Sequence, residues 1–90
     1  MNNMEQEFIT DERGVLFSKD MIRLIRCTMP FTDGKYNIPL SVEEISENAF
    51  YNCGSLKEIT IPDSVTEIEL SAFWGCVNLR VEKLSCSNQF

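Results

Sequence analysis

Residues 38–60 read IPLSVEEISENAFYNCGSLKEIT, and residues 61–83 read IPDSVTEIELSAFWGCVNLRVEK. The two segments align at a constant offset of 23 residues, without any insertion. Ten of the 23 aligned pairs are identical, namely Ile38/Ile61, Pro39/Pro62, Ser41/Ser64, Val42/Val65, Glu44/Glu67, Ile45/Ile68, Ala49/Ala72, Phe50/Phe73, Cys53/Cys76 and Leu56/Leu79. Self-similarity at this period predicts a solenoid, in which each unit buries its apolar face on the next.

Composition and charge limit the classes of function. The chain has 90 residues, enough for one domain, and its 43% hydrophobic and 24% charged residues are ordinary for a globular protein. The net charge of -6 argues against binding to nucleic acid or to an anionic membrane surface, because phosphate binding needs clustered Lys and Arg. No apolar run approaches the roughly 20 residues of a membrane helix, so we expect no membrane insertion.

The N-terminal stretch MNNMEQEFITDERG is polar and acidic and lacks the apolar region of a signal peptide. Either the chain stays in the cytosol or a leader has been removed from it, so its localisation is left open. We expect residues 1–13 to form a polar segment that is partly frayed. The alternative is that Phe8 and Ile9 dock as a short strand.

Residues 14–35 predict a β-hairpin followed by a loop. Two β-prone runs, 15–17 and 22–27, flank Asp20. Asp favours turns because its carboxylate can accept hydrogen bonds from nearby backbone amides. A helix across residues 17–26 is the rival interpretation, since the apolar positions there do not decide between the two periods. The hairpin is preferred, and it would cap the N-terminal end of the repeats.

The repeats themselves are assigned to residues 36–84. Apolar residues alternate at the end of 56–61, as they do in a strand. Val65 and Ile68 flank a second short extended piece. Residues 71–76 are predicted to form one or two helical turns. We expect the glycines at positions 54 and 75 to help end these turns.

Stacked units predict ladders of equivalent side chains. The small Ala49 and Ala72 let neighbouring units approach, and the large Phe50 and Phe73 fill the space between the units. Strands at equivalent positions would then lie about 4.8 Å apart, the spacing of a sheet.

The cysteines are interpreted mainly as core residues. Cys53 and Cys76 occupy the same repeat position, where a small buried hydrophobic residue is needed, and free Cys is among the most buried residue types. A zinc site is not expected, because the chain has no histidine and no CxxC. A disulfide between Cys27 and Cys86 is left open.

The pattern IPxSVxxIxxxAFxxCxxLxxIxIP closely resembles the BspA-like, or Treponema-type, leucine-rich repeat. The preceding segment GVLFSKDMIRLIRC is similar to the hairpin that often precedes such repeats in bacterial members. The resemblance covers residues 14–84 and implies an α+β fold, a short curved leucine-rich-repeat solenoid with a sheet on one face. Characterised members are mostly cell-surface or secreted proteins of host-associated bacteria and protists, linked to adhesion and protein binding. The resemblance therefore implies a non-enzymatic protein-binding module.

The last unit departs from this pattern. Glu82 stands where Ile59 stood, at an inward position, and a charge that faces the core is costly. The alternative is a shifted strand that points Val81 inward. Residues 85–90 do not resume the repeat and are assigned to a C-terminal tail. With so few units, the alternative function is a structural cap or fragment that stacks on other repeats or on itself, as a homodimer through the open repeat end.

No residue set indicates a reaction. The absence of histidine excludes Ser-His and Cys-His nucleophile pairs, and no phosphate-binding glycine loop is present. Glu44 and Glu67 are repeat-equivalent and are expected on a solvated outer edge. We therefore predict no enzyme activity, no cofactor and no metal site.

Binding of a protein partner is the better functional class. The candidate surface lies on the outer face of the repeat strands and consists of Lys57, Glu58, Thr60, Arg80 and Lys83. Repeated strands would place these side chains in adjacent rows on one rigid face. The equivalent Tyr51 and Trp74 have two interpretations. They either pack half-buried against the helical side or form an exposed aromatic row that contacts a partner.

Overall fold

The computed structural model describes residues 8–84, which form eight β-strands joined by turns and loops. In chain order these strands are β1 (Phe8–Thr10), β2 (Val15–Ser18), β3 (Arg23–Cys27), β4 (Lys35–Asn37), β5 (Glu44–Ile45), β6 (Glu58–Pro62), β7 (Glu67–Ile68) and β8 (Arg80–Leu84). One sheet has the order β1-β2-β3-β5-β7, and the other has the order β4-β6-β8. Side chains from both sheets contribute to one hydrophobic core.

The N-terminal hairpin is confirmed. Strands β2 and β3 pair antiparallel, and the Asp20 carboxylate accepts hydrogen bonds from the Ser18 hydroxyl and the Ile22 amide in the turn between them. This pairing excludes the rival helix across residues 17–26. Strand β1 adds antiparallel to the outer edge of β2, so the docked strand, and not a frayed segment, describes residues 8–10.

Strand β3 joins the hairpin to the repeats. One of its edges pairs antiparallel with β2, and the other pairs parallel with β5, where Leu24 lies opposite Ile45. Polar contacts fix the hairpin to β4 as well, since Tyr36 donates a hydrogen bond of 2.6 Å to the Asp11 carboxylate. Burial and this hydrogen bond raise the pKa of Tyr36, which stays a donor at neutral pH. The hairpin thus covers the first coil, as a cap must.

Two of the parallel ladders follow the repeat of the sequence. Tyr36 of β4 lies opposite Ile59 of β6, and Ile45 of β5 lies opposite Ile68 of β7, both at an offset of 23 residues. Equivalent residues therefore lie side by side in successive coils. This arrangement confirms a strand-built solenoid.

The third ladder corrects the prediction of uniform 23-residue units. Ile59 of β6 lies opposite Val81 of β8, an offset of 22 residues. Glu82 then pairs with Thr60 on the outer face and is exposed, so of the two alternatives the inward Glu82 is wrong and the shifted strand, with Val81 opposite Ile59, is confirmed. The shift has a physical cause, because it aligns the apolar Val81 with the buried Ile59 and leaves the carboxylate of Glu82 in water.

The predicted helical turns are also wrong, since the described residues contain no helix. In the turns around residues 48–53 and 71–76, some amides bond three residues back, but other amides of the first turn bond to carbonyls of the second. The amide of Phe50, for example, donates to the carbonyl of Ala72. Left-handed backbone further prevents a helix. It occurs at Asn48 (φ 60°), Asn52 (φ 58°), Ser71 (φ 63°) and Gly75 (φ 85°).

The expected aromatic ladder lies at the centre of the core. The rings of Phe50 and Phe73 stack with centroids 5.3 Å apart and an interplanar angle of 4°. Phe31 and Tyr36 add their rings to the other side of Phe50, at 6.3 and 6.2 Å. Phe50 is almost completely buried, whereas Phe73 is only partly buried because no further described coil covers it.

Candidate functional site

The surface predicted from the sequence lies at the outer side of β6 and β8. Lys57 is exposed just before β6, and Glu58 and Thr60 are half-buried within it. Arg80 is exposed and lies opposite Glu58. The backbone of Lys83 pairs with that of Ile61, and its side chain lies outside the described part of the chain.

The shifted register changes the composition of this surface. Thr60 lies beside Glu82 and not beside Lys83, as a constant 23-residue offset would require. Arg80 also forms an ion pair of 3.7 Å with Glu82. The alignment at a constant offset missed Glu82 as a surface residue, because the cost of burying its charge is the only sign of the one-residue shift in the sequence. The result is a face of mixed charge.

A second surface is the aromatic pair of Tyr51 and Trp74. The two rings stack with centroids 5.0 Å apart and an interplanar angle of 13°. Tyr51 is 52% exposed and Trp74 is 57% exposed, so the structure shows the exposed row and not the half-buried packing. Each aromatic follows an inward Phe, which explains why it points to solvent.

An open groove of about 350 Å³ lies beside Tyr51. Its walls come from the turn of residues 50–55 and from the start of the loop after β3, residues 27–30. The amide of Cys27 donates to the carbonyl of Ala49, just as the amide of Phe50 does to the next coil. Cys27 thus takes the place of the inward Phe, and Thr28 takes the place of Tyr51, so the aromatic row ends at Tyr51 with the groove beyond it.

Two of the described cysteines, Cys27 and Cys53, line this groove, and Cys76 lies in the next coil. Cys27, Cys53 and Cys76 are free and half-buried, and they pack against the core. The Sγ atoms of Cys27 and Cys53 are 3.9 Å apart, and the Cys76 thiol donates to the Phe50 carbonyl. Burial, and then the neighbouring Cys53, raise the pKa of Cys27 to about 12. Burial also raises the pKa of Cys76. Cys86, and with it the bridge left open to Cys27, lies outside the described residues.

These thiols should react slowly in the folded chain. A pKa near 12 leaves roughly a thousandfold less thiolate at pH 8 than an ordinary cysteine has, and the thiolate is the reactive form. We expect iodoacetamide to alkylate Cys27 and Cys76 far more slowly in the native chain than in urea, with Cys53 partly protected by its burial. Residue-resolved mass spectrometry measures these rates. Equal rates in native and unfolded chains would contradict the placement of the thiols.

One acidic cluster lies on the opposite sheet. Carboxylate oxygens of Glu44, Glu67 and Glu69 all lie within 4.8 Å of one another. A hydrogen bond that the protonated Glu69 carboxyl donates to Glu44, followed by burial and the negative charge of Glu67, raises the pKa of Glu69. The repeat pattern could not indicate Glu69, because its equivalent Ser46 is not acidic. The cluster offers oxygen ligands to a hard cation, but exposed carboxylates group in this way without one as well.

Among the described residues, no buried side chain is charged, and the chain has no histidine. The described part also has no helix that is long and apolar enough to cross a membrane.

Comparisons with known proteins agree with this geometry. A family model described as a BspA type leucine-rich repeat region (6 copies) matches residues 33–90. The crystal structure of the pneumococcal vaccine antigen PcpA is similar, with a TM-score of 0.74 and 25% identity over 90% of this chain and 21% of that one. A leucine-rich repeat protein from Eubacterium ventriosum shares the fold, with a TM-score of 0.54 and 18% identity over 91% of this chain and 29% of that one. No curated protein matches the sequence.

This chain spans less than a third of either solved structure. The family model, by contrast, covers more than half of the chain, and it covers the strands β4 to β8 that form the parallel ladders. The chain therefore belongs to the BspA-type leucine-rich repeat family.

Proposed function

We propose that this protein is a non-enzymatic binding module, of the adhesion or interaction type, that holds a protein partner on a preformed surface. The observation that carries the proposal is the exposed stack of Tyr51 on Trp74 beside an open groove. Aromatic side chains are enriched among the residues that contribute most to interface energy. Two large aromatic rings left in solvent are therefore the best candidate anchors in the described surface.

The stack is already in place before a partner arrives. Hydrogen bonds between coils hold the two turns together, since the Phe50 amide donates to the Ala72 carbonyl and the Asn52 amide to the Trp74 carbonyl. Side chains that are ordered in advance lose less entropy on binding. The groove next to Tyr51 offers a recess for a side chain of the partner.

The mixed-charge face is proposed as a flanking contact surface. It consists of Lys57, Glu58, Thr60, Arg80 and Glu82, whereas Lys83, which the sequence also suggested, pairs through its backbone with the buried Ile61. Exposed charges at the rim of an interface mainly affect the rate of association and its dependence on salt, and contribute little affinity. Substitutions in the aromatic stack are therefore expected to lower the affinity, whereas substitutions in the mixed-charge face are expected mainly to change the association rate and its dependence on salt.

Family membership and the likeness to PcpA also support the proposal. The characterised proteins that the repeat pattern resembles are linked to adhesion and protein binding, and PcpA is itself a vaccine antigen. On these grounds we propose a role at the cell surface or outside the cell.

An array of purified matrix proteins and glycans tests the proposal. For a protein that the wild-type chain binds, Trp74→Ala is expected to weaken the affinity by about tenfold or more. Leu40→Ala is the matched control, since Leu40 is also a large exposed hydrophobic residue but lies in the turn between β4 and β5, whereas Tyr51 lies in the turn after β5. We expect it to leave the affinity unchanged.

Two outcomes would contradict the proposal. Either the array shows no bound protein, or both Trp74→Ala and Tyr51→Ala bind as the wild type does. If Lys57→Ala and Arg80→Ala alone weaken the affinity, at all salt concentrations, the mixed-charge face is the anchor instead.

A second candidate function is stacking, in which the module acts as a cap or fragment on other repeats or on itself. It is favoured by the end of the solenoid, where Ile68 and Val81 are 46% and 47% exposed. Their equivalents Ile45 and Ile59 are fully buried by the coil that follows them. Light scattering over a concentration series separates the two candidates, because only stacking on itself makes the mass depend on concentration.

A further inference from the structure

The open end of the solenoid presents two strand edges. Among the described strands, β7 and β8 each have a neighbour on one side only. An edge strand carries a row of backbone donors and acceptors without partners in the sheet, which can pair with another chain. Here the edges accompany exposed apolar residues that the repeat pattern would otherwise bury, Ile68 and Val81.

We propose that a second copy of this chain covers this end, by antiparallel pairing of β8 with β8 of the copy about a twofold axis at Val81. The inference rests on the second candidate function above. A second copy is the partner that the charges favour, because the segment Arg80-Val81-Glu82 is complementary in charge to the same segment of an antiparallel strand. Arg80 would lie opposite Glu82 of the partner subunit, and Glu82 opposite the partner subunit's Arg80.

The side chains of β8 are arranged as this pairing requires. Arg80 and Glu82 lie on the outer face, with side-chain exposures of 71% and 48%, and the paired strands would replace the ion pair that they form within one chain by ion pairs across the edge. Val81 is in register with the buried Ile59 and belongs to the inner face. A twofold axis perpendicular to the sheet keeps both inner faces on the same side, so the two Val81 side chains would meet and extend one core.

Charge also fixes the register of the pair. An axis centred on Glu82 would place two carboxylates opposite each other, and an axis centred on Arg80 would place two guanidinium groups opposite each other. Like charges directly opposite on neighbouring strands are destabilising, whereas opposite charges stabilise the pair. The centre at Val81 therefore has the better charge pairing.

The other edge opposes the association and keeps it weak. Strand β7 carries Glu67, and Glu69 follows it, with Glu44 beside both. Two such edges that approach each other bring carboxylates together. Glu69→Lys replaces one charge in each copy by the opposite one, so we expect it to tighten the dimer several-fold while β8 stays unchanged.

The experiment uses charge exchange in the 90-residue chain, followed by sedimentation equilibrium up to millimolar concentration. Arg80→Glu and Glu82→Arg are each expected to weaken the dimer by about tenfold or more, because each places like charges opposite each other twice. A mixture of the two variants should restore association, since every facing pair is then of opposite charge. The ion pair within each chain is lost in both variants and cannot produce this recovery.

The outcomes are distinct. A tighter complex in the mixture than in either variant alone supports the paired β8 strands. A wild-type chain that stays monomeric at every concentration overturns both the dimer and stacking on itself. A dimer that is abolished by Ile68→Asp but unaffected by the charge exchanges overturns the β8 register and leaves stacking through the open end in place.

Discussion

Phe50→Ala is expected to lower the free energy of unfolding by about 3–5 kcal/mol. Phe50 is 1% exposed and its ring contacts the rings of Phe31, Tyr36 and Phe73. The substitution would leave a cavity between two coils and the loop that leads into β4. For a chain of 90 residues, whose whole stability is about 5–13 kcal/mol, this loss would unfold a large fraction of the molecules or leave a small margin.

Phe73→Ala is the matched comparison, because it removes the same atoms from the equivalent position. The sequence predicts the same loss for both. The structure predicts a clearly smaller loss for Phe73, since it is only partly buried. Urea unfolding followed by circular dichroism gives both values. A loss below about 1 kcal/mol for Phe50, or equal losses at the two positions, would contradict the stacked arrangement.

Gly75→Ala is expected to cost about 2–4 kcal/mol, for two reasons that act together. Its backbone has a φ of 85°, which an L residue with a Cβ rarely adopts. A Cβ on Gly75 would also lie 2.8 Å from the Cα of Asn52 in the preceding coil. Backbone cannot move aside as a flexible side chain does, so the two coils would have to separate.

Gly54→Ala provides the control for this experiment. A Cβ at Gly54 meets no atom within 4 Å, and no left-handed φ is found there. We expect the free energy of unfolding to change by less than about 0.5 kcal/mol. The two glycines were expected to play the same part at the end of a helical turn. Equal costs for the two substitutions would contradict the close approach of the coils at Gly75.

Much of the fold could be predicted because, in a solenoid, residues at equivalent positions of the sequence repeat contact each other in neighbouring coils. The match of Ile45 to Ile68 becomes a pair in a parallel ladder, and the match of Phe50 to Phe73 becomes a ring stack. The hairpin was equally readable, because its two β-prone runs flank a residue that favours turns. Local pattern and tertiary contact agree at these positions.

The helical turn was mispredicted because the competing hydrogen bonds are not local. The residue types of 71–76 are compatible with a helix, but backbone hydrogen bonds join this turn to the preceding coil, and the turn contains residues with left-handed backbone. An Asn or a Ser with positive φ leaves little trace in a single sequence. The register of β8 was left between two alternatives for a related reason, since only the cost of burying Glu82 signals the shift that places Val81 opposite Ile59.

The candidate site was partly readable. The sequence placed Tyr51 and Trp74 at equivalent positions, but it could not decide between packing and exposure, which depends on how the turn directs each side chain. The groove beside Tyr51 could not be foreseen, because it arises where the hairpin supplies Cys27 in place of a third Phe. The acidic residue Glu69 joins its cluster through space alone.

The central claim is that the exposed aromatic stack is the part of this module that a protein partner covers. Trp74 is the single tryptophan of the chain, so 5-fluorotryptophan labelling gives one ¹⁹F resonance that reports on this position alone. We predict that in the free chain the resonance shows the solvent isotope shift of an exposed ring. Saturation with a protein that the chain binds on the array is then expected to shift the resonance and to reduce this isotope effect. A resonance that stays unchanged at saturation would contradict the claim.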